Sequence, residues 1–516
     1  RLAFTVVSGM FTGVVAFGIL MAQQAREIAL QRDEAEFQAQ RAEASSEFMS
    51  LMLEEVGPGG KALTPQQLLE KGVELLDKQY GEDPQFSARM LLQMARRFMD
   101  IGSTEKQAEL LSRAESMARS VKDDDLLAAV ECAIVRSELD ANRHDQARMH
   151  MQAALAALTR IAEPPTATRV DCLRAQADVA EIDRDLDAAA ANLVSAQALL
   201  EESGNTRGLQ YNAVLTDLGG IYFRTGRYKE ALPINESTAA ALERNGRGGT
   251  LARVTLSVNR ASLMFRLGEI QQAERVGREA LRRLESVSDE QRATVIPTIR
   301  YATTLNRLDR TDEAIALLKV AREQTRTQGN DFWGAQASYN LGRALIAERD
   351  FEPALQRLEE AHAIWRVNET ANVDRLADFS RTRAELELAR GHMTDAMTHI
   401  DKSLALFGYP TESKTPDYAA ALTLASRIYL KLDKQDEAHA FATAALRISE
   451  SVARDPRQSA DVGEALLVMA AALNARGDRS GARHSIQRAI EALSNALGEK
   501  HRLRSEAMDL KDSFGA

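Results

Sequence analysis

The sequence repeats a pattern of small and apolar residues at nearly constant intervals, and such a repeat restricts the chain to a stacked architecture. Seven residues after most of the repeated positions comes another small residue, and five residues before several of them comes a glycine. Each unit of such an array buries its apolar face only against its neighbours, so stability is spread along the chain. The positions lie 40 to 44 residues apart, at Gln107, Ala147, Ala189, Ala231, Ala273, Ala314, Ala354, Ala396, Ala438 and Ala482.

The composition favours helices for these units. Hydrophobic residues make up 45% of the chain and aromatic residues only 5%. Alanine, leucine, arginine and glutamate dominate, and all four are strong helix formers, so we predict an all-α protein. The net charge is −10 with basic and acidic residues interleaved, which leaves no basic face and predicts no nucleic-acid partner.

One unit, residues 218–232, shows the pattern most clearly. Gly219 and Ala231 are predicted to face each other where two antiparallel helices cross, with Tyr222 beside them and Gly226 taking the positive φ that ends the first helix. The unit resembles the tetratricopeptide repeat, whose pattern is LGxxY, a glycine turn and then YxEAL. The resemblance implies a tetratricopeptide-like right-handed helical solenoid of about ten repeats, with a period of ~42 residues in place of the usual ~34.

The same positions predict how the chain is organised. We expect N-terminal helices and a first repeat over residues 61–125, the repeat array over residues 126–500 and a tail over residues 501–516. The units around Ala147 and Ala189 lack the glycine turn, so both are predicted from register alone.

An uncharged segment, Leu2–Ala25, precedes the repeats and is predicted to be a transmembrane helix. At ~1.5 Å per residue its apolar part is long enough for a ~30 Å hydrocarbon core, whereas a cleaved signal peptide, the alternative, has a shorter apolar core. Gly9 and Gly13 form a GxxxG pair that predicts a homodimer within the membrane, although small residues are also common in spans that do not pair. A charged stalk helix and linker are predicted over residues 26–60.

The sequence contains no catalytic or metal-binding motif. Its eight histidines form no ligand set with carboxylates three or four residues away, so we expect no catalytic residue, metal or cofactor in this chain. The two cysteines, Cys132 and Cys172, belong to no CxxC or Cys/His cluster. They are predicted to be free thiols that act as small buried hydrophobes.

A partner-binding groove is predicted instead, because the first helices of tetratricopeptide repeats line the concave face of their array. Arg224, Arg266 and Arg307 share one register in consecutive units, and a ladder of guanidinium groups can hold the carboxylates of an extended peptide. Alternatively, these arginines only complement helix dipoles and stay solvated. The candidate set also contains Arg343, Arg381 and Arg427 on later first helices, with Phe223, Phe265 and Tyr339 as apolar anchors.

The order of segments after the predicted span resembles that of bacterial receptor-like serine/threonine protein kinases. The matching pieces are residues 46–49 of the stalk, residues 64–72 and residues 91–102. The resemblance implies a kinase domain upstream of Arg1, with its ATP and Mg²⁺, a single-pass inner or plasma membrane anchor, and repeats on the periplasmic or extracellular side. The chain is then the sensory part that binds protein or peptide partners. The alternative is a free-standing membrane-anchored scaffold for complex assembly, without a kinase.

Overall fold

The computed structural model describes residues 46, 50, 64–244, 246, 248–286, 294–370, 372–408 and 415–514. Within these residues the chain forms 22 α-helices and two short 3₁₀ helices, with no strand, which confirms the all-α prediction. A search of the same residues for a helix of membrane-spanning length and apolarity finds none. The predicted span Leu2–Ala25, including Gly9 and Gly13, lies outside the described residues.

The chain divides into two compact units, residues 1–199 and 200–516. In the first unit a capping box begins the first described helix, because the Thr64 side chain accepts from the Gln67 N–H and the Gln67 side chain accepts from the Thr64 N–H. Three helical hairpins follow this helix. The helices are α1 Pro65–Tyr80, α2 Pro84–Asp100, α3 Thr104–Val121, α4 Asp124–Asp140, α5 His144–Leu158, α6 Thr166–Ile182 and α7 Leu186–Glu202, the last of which runs into the second unit.

In the second unit the described residues form seven more hairpins and a single C-terminal helix. The first four hairpins are α8 Leu209–Arg224 with α9 Tyr228–Arg244, α10 Leu251–Arg266 with α11 Ile270–Leu284, α12 Ile296–Arg307 with α13 Thr311–Thr327, and α14 Asp331–Ala347 with α15 Phe351–Trp365. The other three are α16 Val373–Arg390 with α17 Met393–Leu406, α18 Pro416–Lys431 with α19 Gln435–Val452, and α20 Ala460–Ala475 with α21 Arg479–Leu497, followed by α22 Arg502–Ser513.

The ten repeated positions are structurally equivalent in their hairpins. Each is the fourth residue of the second helix of its hairpin, and each is buried, with at most 3% of its surface exposed. The turn five residues earlier is also kept in all ten hairpins, including the five that lack a glycine there, among them those around Ala147 and Ala189. Its residue has positive φ in every case: Gly102, Asn142, Arg184, Gly226, Gly268, Asp309, Arg349, Gly391, Asp433 and Gly477.

The helices that cross at Gly219 are not as close as predicted, whereas close crossings occur in other hairpins. A Cβ atom on Gly219 would meet Ile234 Cγ2 at 3.4 Å, which is an ordinary contact. A Cβ atom on Gly342 would lie 2.8 Å from Leu358 Cδ2 and 3.1 Å from the Ala354 carbonyl oxygen. The crossing of α14 and α15 therefore excludes a side chain at Gly342, and that of α20 and α21 does so at Gly463, where a Cβ atom would lie 2.7 Å from Leu493 Cγ.

The prediction of two free thiols is wrong, because Cys132 and Cys172 form a disulfide. Cys132 lies on α4 and Cys172 on α6, the first helices of consecutive hairpins in the first unit, and their Cα atoms are 5.2 Å apart. Both residues are buried, as the sequence predicted. Their separation of 40 residues is close to one repeat period, so packing of equivalent helices brings the two sulfur atoms together.

The second unit curves until its second and third hairpins contact its last hairpin and α22. The Ala460 N–H donates to the Gly268 carbonyl at 2.9 Å, and Arg502 Nε donates to Asp309 Oδ1 at 3.0 Å. A Cβ atom on Gly268 would lie 2.1 Å from Ser459 Oγ, so this contact requires glycine. Ile270, which is fully buried, belongs to the same hydrophobic core as residues of α20 and α21. The inner surface of this curved unit contains the candidate site.

Candidate functional site: an internal cavity of the second unit

A cavity of about 640 Å³ lies inside the second unit. The first helices of five consecutive hairpins, α8, α10, α12, α14 and α16, supply most of its wall. Among the described residues, second helices contribute only Tyr228, Gly277 and Trp365 to the lining. The cavity is therefore formed by side chains that recur at equivalent places in successive repeats.

The wall concentrates the aromatic residues of an aromatic-poor chain. The sequence has 2 tryptophans, 9 tyrosines and 15 phenylalanines. Both tryptophans line the cavity, with Tyr228, Tyr301, Tyr339, Phe223, Phe265, Phe332 and Phe407. The rings form pairs, with centroids 5.2 Å apart for Tyr339 and Trp365 and 5.3 Å apart for Phe332 and Trp333. The cavity thus offers a preformed apolar and aromatic surface.

The charged groups of the wall are five arginines and three aspartates. Arg266 Nη1 lies 2.7 and 2.6 Å from the two carboxylate oxygens of Asp417. Asp378 accepts from Arg381 at 2.5 and 2.8 Å and from the Tyr339 hydroxyl. Burial opposes ionisation of Asp378, but Arg381 and Arg343 outweigh burial and lower the pKa of its carboxyl. Two of the three aspartates are therefore neutralised within the fold.

Three arginines of the wall, Arg300, Arg343 and Arg375, form no ion pair with a carboxylate of the described residues. Arg300 Nη1 donates to Ser262 Oγ at 2.9 Å, while its Nε is enclosed without an acceptor. Burial, together with the charge of Arg266, lowers the pKa of Arg300 to about 10. Arg375 donates to Asn372 Oδ1 at 3.1 Å and lies over the Phe332 ring, 4.8 Å from its centroid. Arg300 thus presents a positive charge to the cavity without a carboxylate partner among the described residues.

Six of the nine predicted groove residues come together here, namely Arg224, Arg266, Arg343, Phe223, Phe265 and Tyr339. The other three lie away from the cavity lining. Arg307 contacts Glu464 and lies 3.1 Å from Asp461, and Arg427 lies 3.2 Å from Glu506. Arg381 pairs with Asp378, as described above. Arg307 thus joins α12 to α20 and Arg427 joins α18 to α22, whereas Arg381 pairs within its own helix.

Sequence analysis missed Arg300, Arg375, Phe332 and Trp333 as lining residues. Arg300 was detectable, because it precedes Arg307 by seven residues, or about two helical turns, and so lies on nearly the same face of α12. The two tryptophans were a second signal in a chain with few aromatic residues. No local pattern marks Arg375, which lies in the first turn of α16.

Two groups of carboxylates and a histidine also come together, although their spacing along the chain did not predict it. One consists of Glu115, Glu131 and His150, and the other of Glu387, His392 and Asp395. Arg119 Nη2 lies 2.8 Å from Glu115 and 2.6 Å from Glu131, and Arg383 Nη2 lies 3.4 Å from Glu387. Arginines thus pair with Glu115, Glu131 and Glu387, so these three carboxylates belong to ion-pair networks in this structure.

Two segments of the chain match the tetratricopeptide repeat family model. They are residues 210–286 and 294–366. These segments contain nearly all of α8 to α15, which supply four of the five first helices around the cavity. The tetratricopeptide prediction is confirmed for these repeats, and a search of curated proteins finds no match to the chain.

Similar solved structures are helical repeat proteins at low identity. A Rap protein complexed with competence and sporulation factor is 14% identical, covers 75% of this chain and 98% of its own, and has a TM-score of 0.48. The apo form of RapI is 11% identical, with coverages of 54% and 97% and a TM-score of 0.46. A tetratricopeptide repeat protein from Parabacteroides merdae ATCC 43184 is 18% identical, with coverages of 55% and 97% and a TM-score of 0.37.

Proposed function

We propose that the chain is a protein-interaction module and that its second unit binds a segment of a protein or peptide partner in the internal cavity. The observation that carries this proposal is the wall itself, where unpaired arginines lie beside nine aromatic residues. A volume of about 640 Å³ falls within the ~300–1,000 Å³ usual for ligand sites. Aromatic and arginine side chains are also the types that dominate binding energy at interfaces.

The wall of the cavity is suited to binding because it is preformed in the absence of a partner. Its arginines and rings lie on helices whose packing is set by the repeat, so little conformational entropy is lost when a ligand enters. Tyr339 illustrates this, because its hydroxyl is held by Asp378 and lies 2.7 Å from Thr382 Oγ1. Arg266 is likewise held by Asp417.

A peptide selection tests the proposal. Random peptides displayed on phage are selected on the full chain, and the enriched peptides are then measured on two variants. Gln336→Trp fills the cavity, whereas Val320→Trp places the same bulk on α13 at a residue that is 62% exposed and outside the wall. We expect binding to be lost with Gln336→Trp and kept with Val320→Trp, both variants melting near the wild-type temperature. Enriched peptides that bind both variants equally would contradict a cavity site.

We also propose, from the order of segments in residues 48–114, that this module is the membrane-anchored sensory part of a serine/threonine protein kinase. The disulfide between Cys132 and Cys172 supports a location outside the cytoplasm, because disulfides persist in oxidising compartments. The sequence of the residues upstream of Arg1 tests the kinase proposal. If those residues lack a glycine-rich loop, a strand lysine and HRD and DFG motifs, the kinase proposal is lost and a free-standing anchored scaffold becomes the better proposal. Protease accessibility of the repeats in intact cells tests the location.

A further inference from the structure

We propose that Arg300, oriented by Ser262, binds an oxyanion, so that the cavity selects ligands with a carboxylate or phosphate group beside an aromatic or apolar group. The inference rests on the proposed function and specifies its ligand class. Arg300 lies on α12 and Ser262 on α10, the first helices of consecutive hairpins, and both residues line the cavity. The site is thus built from two neighbouring repeats.

Arg300 is a cation for which the described part of the chain supplies no anion. A guanidinium carries five N–H donors, and only Nη1 finds a partner, the neutral Ser262 hydroxyl. Its Nε is enclosed without an acceptor, and the charge of Arg266 acts on it unfavourably. An unpaired charge in a partly enclosed site is unfavourable, and an incoming oxyanion removes that penalty.

Other arginines on first helices of the same unit serve as internal comparisons. Arg266 has Asp417 at 2.6 Å, Arg307 has Asp461 at 3.1 Å, and Arg381 has Asp378 at 2.5 Å. The fold therefore provides a counter-ion for each of these arginines, either from a distant helix or, for Arg381, from the same helix. Since Arg300 has none among the described residues, we infer that its counter-ion comes with the ligand.

Ser262 orients the guanidinium without neutralising it. Its hydroxyl donates to the Val258 carbonyl at 2.9 Å and accepts from Arg300 Nη1 at the same distance. Because the hydroxyl hydrogen is committed to Val258, its lone pairs face Arg300. Nη2 of Arg300 makes no hydrogen bond within the described residues. A fork of N–H groups held in this way matches the paired oxygens of carboxylates and phosphates.

The aromatic part of the proposed ligand follows from the remaining wall. Phe332 keeps 41% of its surface exposed, which is unusual for a phenylalanine in a wall of mostly buried rings. Its ring lies beneath the Arg375 guanidinium and edge-on to Trp333. A small inorganic anion leaves this surface uncovered, whereas a ligand with both an aromatic group and an oxyanion has a partner for each among the lining residues of one cavity.

Three small probes test the inference on the full chain by isothermal titration and ligand-observed NMR. N-acetyl-phenylalanine carries a carboxylate, N-acetyl-phenylalaninamide is its neutral counterpart, and phenyl phosphate carries a phosphate. We expect the acid to bind roughly tenfold or more tightly than the amide, as for one charge-assisted contact. If phenyl phosphate binds more tightly than N-acetyl-phenylalanine, the preferred oxyanion is a phosphate. If phenyl phosphate binds more weakly, the preferred oxyanion is a carboxylate.

Two variants identify the responsible arginine. We expect the preference for the acid to disappear in Arg300→Met and to persist in Arg343→Met, which changes another unpaired arginine of the same wall. Without ligand, Arg300→Met should melt at or above the wild-type temperature, because it removes an unpaired charge.

Any of four outcomes overturns the inference. Equal binding of acid and amide, or a preference lost only in Arg343→Met, leaves the cavity as a binding site but removes Arg300 as its anion receptor. A lower melting temperature of Arg300→Met with the preference intact assigns Arg300 a structural role. Failure of all three probes to bind overturns the proposed function as well.

Discussion

At the scale of single residues, the turn within each hairpin requires a backbone conformation more than a particular side chain. Gly226 has a φ of 73°, and the following Arg227 N–H donates to the Tyr222 carbonyl at 2.8 Å. This bond satisfies a carbonyl that the end of α8 leaves open. Five of the ten hairpins take the same conformation with asparagine, arginine or aspartate, for which positive φ costs about 1 kcal/mol relative to glycine.

Replacing such a residue with glycine should therefore stabilise the protein. Arg184 has a φ of 63° and an exposed side chain, so we expect Arg184→Gly to raise the free energy of unfolding by about 0.5–1 kcal/mol. Urea denaturation monitored by circular dichroism measures the change. In the matched control, Gly226→Ala should lower the free energy of unfolding by a similar amount, since a Cβ atom there meets no atom within 4 Å and only the backbone is strained. A loss of stability in Arg184→Gly would show that its side chain outweighs the turn.

At the scale of helices, the separation of α14 and α15 depends on the absence of one side chain. We expect Gly342→Ala to lower the free energy of unfolding by about 1–3 kcal/mol, because the new methyl group overlaps Leu358 and the Ala354 carbonyl. Gly220→Ala on α8 is the control, since its Cβ atom would have only Arg224 Nη1 nearby, at 3.6 Å. That variant should be neutral or slightly stabilising, because alanine is the better helix former. Equal losses would show that helix crossing distance does not explain the effect.

The C-terminal helix α22 begins at a histidine that must be neutral. His501 Nδ1 accepts from the Leu503 N–H at 3.2 Å, so the ring proton is on Nε2, which donates to the Arg307 carbonyl at 3.2 Å. Burial lowers the pKa of His501 below 6.5, and Arg307 and Arg502 act in the same direction, while Asp309 opposes them. Protonation removes the acceptor for Leu503 and so weakens the start of α22.

Acidification should therefore destabilise the docking of α22. Above pH 6.5 the imidazole is neutral in both folded and unfolded chains, so its contribution is complete. As the pH falls below 6.5 the unfolded chain takes up the proton first, and stability decreases towards the lower folded pKa. Thermal unfolding at about pH 7.5 and about pH 5 measures this in wild type and in His501→Asn, which can still cap the helix but does not titrate. The melting temperature should fall less between the two pH values in His501→Asn than in wild type. Equal falls would exclude His501 as the cause of the acid destabilisation.

At the scale of the molecule, the curvature of the second unit brings distant repeats into contact through buried ion pairs. Arg307 joins α12 to Asp461 and Glu464 on α20, more than 150 residues further along the chain. The side chains of all three are mostly buried. Removal of the arginine leaves two carboxylates in a poorly solvated place, which is more damaging than loss of an exposed pair.

We expect Arg307→Met to lower the free energy of unfolding by about 3 kcal/mol. Denaturation by urea measures the loss, and Arg326→Met is the control. Arg326 and its partner Glu323 are both largely exposed, so this variant should leave the free energy of unfolding nearly unchanged. Adding Asp461→Asn and Glu464→Gln to Arg307→Met should recover part of the loss, because the unpaired charges are then gone. No recovery would show that the arginine acts through packing.

Much of the fold was predictable because the sequence signals for it lie within a single repeat. Ala231 and its nine equivalents mark the second helices, and Gly226 marks the turn, since helix periodicity and positive φ depend on neighbouring residues. The site was predictable only in part. Register placed Arg224 and Arg266 on first helices that line the cavity, but it could not separate an arginine with a carboxylate partner from one without.

The sequence by itself determined the helical hairpins and their period, because both depend on local spacing. The inner position of the first helices was implied by the resemblance to tetratricopeptide repeats. Tertiary structure alone decided which distant groups meet. Cys132 bonds to Cys172 across adjacent hairpins, and Arg266 reaches Asp417 across 151 residues. It also left Arg300 with no carboxylate partner among the described residues. These pairings depend on how far the second unit curves and how neighbouring hairpins pack, and that geometry is the sum of many small packing angles which no single repeat encodes.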